Sequence, residues 1–401
     1  MSTHDGDLVG RRTGMDTAMT ERGAWPQDSL WLREAMAALP RDRFAPDRLW
    51  RWDGYAYVPV DRASDPQGWA NELYDDVNGA AITQLDGGRP SSSLSAPGAV
   101  ADMLDSLMVE PGHTVWDVGA GQGWTTALAA WRAGPGLVVA TEIDEALAEF
   151  ARDRLKAAGV DAEVLAADAT RTGPPGGARV DRLHATYAVE TVPWQWIQAV
   201  RPGGRIVYPW GRLGYVALTV DDDGGGAQGW VHGLAQFMAD RRGPAQAQTG
   251  RAAYAAVRGD GEPKVRRVVE RDLAPLADDW HLRFAVRVAV PDAVLLTGRD
   301  EDGVNAWVHD GDASWAELTA RGDGSVILLQ GGPRRIGDEV MTAWSQWEAL
   351  GEPELYDYGI AVTPDGQWAR LGEDGPHWPI GRQRLPAPGD DAGTGGGRSS
   401  G

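Results

Sequence analysis

Apolar positions along this chain keep two rhythms. Over 27–39 the stretch W-L-R-E-A-M-A-A-L spaces them at three and four, predicting an amphipathic helix that Pro40 stops. From Pro97 onward short apolar runs alternate with longer amphipathic ones. They predict helices over 97–107, 122–132, 145–158 and 193–200, and strands over 114–118, 137–141, 162–166, 179–186 and 205–209. Strands alternating with helices read as βαβ units, hence a doubly wound, mostly parallel, Rossmann-like α/β sheet. Runs at 215–220 and 229–237 flank the turn D-D-D-G-G-G and predict an antiparallel pair at the sheet edge.

The flanks read differently. Residues 1–24 are polar and glycine-containing and are expected to be unstructured, as is the Gly/Ser-rich tail 386–401. Residues 40–94, rich in Trp, Tyr, Gly, Pro and Asp, read as a long ordered arm with little regular structure. Residues 244–263 read as a linker. Over 264–385 the pattern predicts a smaller α+β domain, with strands over 281–290, 294–297, 305–309, 326–329 and 358–362 and a helix over 339–350.

Charge narrows the classes. Asp plus Glu number 58 against 38 Lys plus Arg, a net −20, which argues against a nucleic-acid or anionic-membrane binder. The absence of Cys removes disulfides, thiolate nucleophiles and Cys-ligated metals, and the seven His form no H-E-x-x-H. No apolar run approaches a membrane span, and the N-terminus carries no apolar signal core, so a cytoplasmic protein is expected. Trp outnumbers Phe 19 to 4, which predicts Trp in the core in place of Phe.

The most informative stretch is V-W-D-V-G-A-G-Q-G-W over 115–124. Gly119, Gly121 and Gly123, with Ala120 between the first two, follow a strand and open a helix, where backbone can approach a ligand. The spacing is G-x-G-x-G; a dinucleotide fingerprint would need Gly at 124, which is Trp124. Asp117, inside the strand end, suits a cationic amino group and would repel a pyrophosphate. Both points favour S-adenosylmethionine. Glu142 ends the next strand and can accept bonds from ribose hydroxyls; Asp168 ends the third and can meet the adenine amino group.

Several segments then resemble, in order, the protein-L-isoaspartate O-methyltransferases: R-D-R-F-A-P over 41–46, Tyr74-Asp75-Asp76, Leu94-Ser95-Ala96-Pro97, the glycine stretch with its leading E-P-G, V-D-R-L-H-A-T, and V-R-P-G-G-R-I-V-Y-P-W-G over 200–211. The resemblance covers roughly 30–215. It implies a methyltransferase domain over 25–243, S-adenosylmethionine as donor with S-adenosylhomocysteine as product, a peptide or protein acceptor, and Ser95 at the reaction centre, with Ser93, Leu94, Pro97 and Tyr74 beside the substrate. Without the resemblance, Ser95 reads as a helix N-cap before Pro97.

Residues 78–93 are longer and more polar than the family's lead into that Ser, and the family's repair enzymes lack so long a carboxy-terminal part. The layout is closer to relatives that methylate an encoded Asp in a ribosomally made peptide, the ester then closing to a succinimide (aspartimide). Housekeeping isoaspartyl repair is the alternative. A small-molecule methyltransferase or a non-catalytic peptide-binding protein is the weaker reading. Arg89 is a candidate counter-charge for an acidic acceptor, and His184 and Glu190 are possible groups at the site's edge. The pair Trp194/Trp196 reads as core under the sheet, and Trp344/Trp347 as packing for the second domain.

Overall fold

The computed structural model describes residues 3–211, 213–242 and 250–381. The chain opens with α1 (Thr3–Glu21) and α2 (Trp31–Ala38). A small antiparallel sheet follows, built from β1 (Arg48–Trp52), β2 (Tyr57–Asp61), β3 (Ala81–Asp86) and β4 (Arg89–Leu94) in the order β2-β1-β3-β4, with α3 (Pro66–Tyr74) between its halves. The expected loose arm over 40–94 is therefore a folded subdomain. Its strands are short and broken by Gly and Pro, which hides the alternation of a half-buried strand.

Residues 3–24 are likewise a helix and its turn, not an unstructured lead. Leu8, Met15 and Met19 are buried at helical spacing, and ion pairs Arg11–Asp75, Arg12–Asp42 and Arg33–Asp16 tie α1 to its surroundings.

The main sheet runs through α4 (Pro97–Leu107), β5 (Val115–Val118), α5 (Trp124–Ala133), β6 (Val138–Glu142), α6 (Glu145–Ala158), β7 (Glu163–Ala166), β8 (Val180–Ala185), α7 (Trp194–Ala199), β9 (Val200–Trp210), β10 (Gly214–Val220) and β11 (Ala227–Leu234). Strands β7-β6-β5-β8-β9 pair in parallel, and β10 and β11 continue antiparallel. Connections leave β5 toward β6 and β7 and then return to β8. The strand order thus reverses between β5 and β8, where open α/β sheets bind ligands at the strands' carboxyl ends. Pro97 at the first helical position starts α4. The Asp144 carboxylate caps α6 by accepting from the N–H groups of Ala146 and Leu147, and Gly159 at φ +72° ends it.

Beyond α8 (Arg251–Arg258), β12 (Val265–Val269), α9 (Ala274–Asp278) and α10 (Trp280–Ala289) come β13 (Val294–Asp300), β14 (Gly303–His309), β15 (Trp315–Ala320) and β16 (Val326–Gly331), then α11 (Ile336–Ala349). These strands form a third, five-stranded sheet in the order β12-β16-β15-β14-β13. The last strands, β17 (Tyr358–Thr363), β18 (Gly366–Leu371) and β19 (His377–Pro379), return to the main sheet through β11–β17. Hence β10–β11 is an interior pair and not the edge, and the carboxy-terminal α+β part shares the main sheet.

The expected strand over 281–290 is the helix α10. Asp279 accepts from the N–H groups of His281 and Leu282, and Leu282, Ala285 and Val286 bury one helical face. Residues 251–258 of the expected linker are helical; 243–249 and the tail 386–401 lie outside the described residues. Trp116, Trp196, Trp344 and Trp347 are buried, Trp194 is half-buried, and Trp196 donates to the Ala169 carbonyl at 3.0 Å.

Candidate functional site

A cleft of about 980 Å³ opens over the carboxyl ends of β5, β6 and β7. Its floor is the turn between β5 and α5. The N–H groups of Gly119 and Ala120 bond the Thr141 carbonyl at 2.8 and 3.0 Å, which ties the turn to β6. Gly119 and Gly121 hold φ of +88° and +53°. A Cβ on Gly119 would stand 2.7 Å from Thr186 Oγ1, and one on Gly121 would stand 3.6 Å from Ser92 Oγ across the cleft. The bare backbone is what leaves room for a ligand here.

Glu142 Oε2 accepts from Gly121 N–H at 2.9 Å and Oε1 from Asp144 N–H at 3.1 Å. A carboxylate has about four acceptor sites, so capacity remains toward the cleft. Asp168 Oδ1 is used by Thr170, while Oδ2 is buried without a hydrogen-bond donor. Arg171 and Arg242 stand 3.5 and 3.6 Å from it. A buried carboxylate oxygen in the lining that lacks a donor is a fitting acceptor for an exocyclic amine.

Ser93, Leu94 and Ser95 line the same cleft from the end of β4, together with Gly119, Ala120, Gly121, Glu142 and Asp168. Ser95 is not the N-cap of α4. That position is Ala96, with no side-chain cap bond, which leaves the Ser95 hydroxyl out of capping.

Several expected site residues stand outside the cleft lining. Asp117 is fully buried and points between β5, β8 and α5: it accepts from Thr126 Oγ1 at 2.6 Å and Thr125 Oγ1 at 3.2 Å and meets His184 Nδ1 at 2.9 Å. Gly123, at φ +83°, is the N-cap of α5 and packs on Ala151. Pro97 begins α4 and is buried. Tyr74 is buried against Asp42, whose N–H reaches its hydroxyl at 3.2 Å while that hydroxyl donates to Asp42 Oδ1. Burial, reinforced by the Asp42 charge, pushes the Tyr74 phenol far above its ordinary value. Arg89 is exposed at the hairpin turn of β3–β4, outside the cleft lining.

Sequence reasoning missed one wall. Residues 234–241, from Leu234 to Arg241, cross the cleft as a strap. Ala188 N–H bonds Met238 O at 2.7 Å, and Asp240 N–H bonds Ala188 O at 2.9 Å. Arg241 reaches Gln84 Oε1 at 2.9 Å, the Ser91 carbonyl, and Asp144 Oδ2 at 3.3 Å. Tyr187 adds an aromatic wall, set edge-on to Trp196 with centroids 6.1 Å apart. Asp102 lines the cleft from α4. Desolvation, with Asp105 adding to it, pushes its carboxyl up to about 6. Among the described residues no group of three or more His, Asp or Glu is placed to hold a metal ion, and no helix is long and apolar enough to cross a membrane.

The strand order, the glycine floor and the acidic ends of β6 and β7 define a Rossmann-like α/β chain of the methyltransferase type. A solved structure titled protein-L-isoaspartate O-methyltransferase shares this fold, with a TM-score of 0.51 at 16 % identity, covering 90 % of this chain and 100 % of that one. The family model of protein-L-isoaspartate(D-aspartate) O-methyltransferase matches residues 21–225, and the chain belongs to that family. A protein-L-isoaspartate O-methyltransferase of Methanopyrus kandleri is 40 % identical over 122 residues, 30 % of this chain and 54 % of that protein. The protein-L-isoaspartate O-methyltransferase 2 of Archaeoglobus fulgidus is 34 % identical over 176 residues, 43 % of this chain and 77 % of that protein. Several of these relatives are matched over about half their own length, as those of Methanopyrus kandleri at 54 % and Aeropyrum pernix at 50 %.

Proposed function

We propose that this chain is an S-adenosylmethionine-dependent O-methyltransferase acting on the carboxylate of an isoaspartyl residue in a peptide or protein. The observation that carries the reading is the placement of Ser95 in one cleft with the glycine floor, Glu142 and Asp168. The residues present fit the donor: Glu142 keeps acceptor capacity for ribose hydroxyls, and Asp168 Oδ2 is an unfilled acceptor for the adenine amine. The Gly119–Gly121 backbone leaves room for the amino-acid end.

When bound, the donor supplies an electrophilic methyl on sulfonium. An acceptor carboxylate is ionised at neutral pH and needs no strong base. The chain's own work is therefore to bind and align. Ser95 holds the acceptor oxygen by donating a hydrogen bond, and alignment alone can contribute about 7–11 kcal/mol. The strap 234–241 walls the cleft, and a water-poor site favours a step in which opposite charges vanish together.

The names of the relatives favour an isoaspartyl acceptor. The reading in which an encoded Asp of a ribosomally made peptide is methylated and closes to an aspartimide rests on the polar segment 78–93. That segment folds as the β3–β4 hairpin, and Ser91 to Ser93 line the cleft from it.

The test is incubation of the full chain with labelled donor and paired synthetic peptides that differ only in Asp or isoaspartyl linkage, read by mass spectrometry. Gain of one methyl on the isoaspartyl peptide, followed by loss of methanol, is expected. Methylation of the Asp peptide alone would move the acceptor assignment. Methylation of neither, with a small molecule as acceptor, would end the reading.

A further inference from the structure

Arg41 opens the R-D-R-F-A-P stretch, yet it lies outside the cleft and has no exposed surface. A buried guanidinium ordinarily needs a carboxylate. The carboxylate beside it, Asp42, is already engaged by Arg12 at 2.7 and 2.8 Å and by Tyr74. Arg41 instead bonds backbone carbonyls: Leu73 from Nη1, and Leu94, Ser95 and Gly79 from Nη2 at 2.6, 2.9 and 3.2 Å. Its guanidinium carbon stands 5.8 Å from the ring centroid of Trp124, the first residue of α5. Burial pushes the group down to about 10, against the influence of neighbouring Tyr74 and Asp76, and it stays charged at neutral pH.

Two of those carbonyls are where the chain leaves β4 and has not yet begun α4. Other anchors are sparse on this link. Pro97 has no N–H to give, Ala96 has no side-chain cap bond and its carbonyl is tied only forward, to Val100 N–H of the same helix at 3.0 Å, and the tie to another element is Gly98 N–H to the Val77 carbonyl at 3.0 Å. We propose that Arg41 is a positioning residue for Ser95, fixing through the Leu94 and Ser95 carbonyls the backbone from which the Ser95 hydroxyl enters the cleft. The guanidinium fork reaches the Leu73 carbonyl from Nη1 and the other three from Nη2; an ammonium, with a single nitrogen on a flexible stem, cannot hold the same set. A shift of about 1 Å at a reacting group can cost about a hundredfold in rate. This inference rests on the role proposed for Ser95.

The test uses the full chain carrying Arg41→Lys or Arg41→Gln, each alone and combined with Ser95→Ala. With Ser95 present, Arg41→Lys is expected to lower kcat about tenfold to a hundredfold, with acceptor KM and S-adenosylhomocysteine affinity nearly unchanged. In the Ser95→Ala background the same substitution should cost almost nothing, because coupled residues are not additive. Hydrogen exchange of the backbone amides over 94–99 should quicken in the Arg41 variants while the rest of α4 keeps its protection. Equal losses with and without Ser95, unchanged exchange over 94–99, or failure of both variants to fold would each overturn the proposal. A wild-type chain that transfers no methyl would refute the function reading instead, and the exchange measurement would still decide whether Arg41 anchors the Ser95 backbone.

Discussion

Asp117 and His184 face each other inside the main sheet, Oδ1 to Nδ1 at 2.9 Å, on neighbouring parallel strands β5 and β8. The other carboxylate oxygen accepts from the Thr125 and Thr126 hydroxyls in the first turn of α5. One buried side chain thus ties the two strands at the topological switch to the helix that follows the glycine floor. Its effect on a ligand in the cleft is indirect, through the position of that floor.

Asp117→Ala should therefore act first on stability. It leaves an imidazole and two hydroxyls without their acceptor, and a buried polar group left unsatisfied costs about 1–3 kcal/mol. Urea unfolding of the variant should show this loss. A variant of unchanged stability that no longer binds S-adenosylhomocysteine would instead mean that the carboxylate contacts the ligand itself.

Tyr74→Phe is expected to cost about 1–3 kcal/mol of stability, because it strips a hydroxyl from a buried pair and leaves Asp42 with one donor fewer. Acceptor KM should not move, since Tyr74 does not line the cleft. Thermal melts and steady-state kinetics on the same preparation separate the two effects.

The elements read correctly from sequence were those whose ends are set by local chemistry. Pro97 starts α4, and Asp144 and Gly159 bound α6, so both match their expected limits. Over 281–288 the run H-L-R-F-A-V-R-V satisfies a strand's alternation and a helix's period together, and the Asp279 cap decided for the helix. Among its described side chains helix α1 buries a thin line, Leu8, Met15 and Met19, and this is too sparse to stand out from a polar segment. At the site, the backbone parts were legible because glycine spacing is tied to a strand end. The direction of Asp117 was not, because successive residues of a strand face opposite layers and a motif does not say which layer holds the ligand. The strap over 234–241 carries no motif; only the fold brings it to Ala188 and Gln84.

Gly119→Ala should damage the floor. The residue sits at φ +88°, and the new methyl would press on Thr186 Oγ1 at 2.7 Å and Tyr187 Cδ1 at 2.8 Å. The left-handed conformation alone costs a side chain about 1–2 kcal/mol. Relief requires the turn or the Tyr187 wall to move into the cleft, so affinity for S-adenosylhomocysteine should fall at least tenfold, about 1.4 kcal/mol, by calorimetry. Gly112→Ala, also at positive φ but with open space around it, is the control that should leave that affinity intact.

The raised Asp102 carboxyl implies a pH-dependent contribution to stability whose sign can be worked out. Its carboxyl is raised from 3.8 to about 6 by desolvation and by Asp105, so the folded chain disfavours its ionised form. Through this group, stability falls as pH rises from the unfolded to the folded value, and the loss is complete above about 6. Asp102→Asn should leave melting unchanged below pH 3.8 and raise the midpoint increasingly up to about 6, with no further gain beyond. Paired melts of variant and wild type across that window check the sign, because other titrating groups cancel in the difference.

Arg241 holds the strap closed from its carboxyl end. Its guanidinium joins Gln84 and the Ser91 carbonyl on the β3–β4 hairpin to Asp144 at the cap of α6, bridging three elements across the cleft mouth. The pair with Asp144 is partly exposed, and such pairs contribute at most about 1 kcal/mol to stability. Arg241→Ala should therefore melt within a few degrees of wild type. Its consequence lies in opening: the strap would be pinned at Ala188 and by the Arg242–Asp168 pair, so limited proteolysis over 238–242 should accelerate and bound S-adenosylhomocysteine should protect less. Dissociation of that product should quicken more than association slows, because the substitution removes a closing contact and leaves the floor intact. Arg241→Lys can restore the pairing with Asp144 but not the simultaneous bonds to Gln84 and Ser91, and should recover only part of the protection. Proteolysis and product release unchanged in both variants would mean that the Ala188 backbone bonds and the Arg242–Asp168 pair close the strap without Arg241.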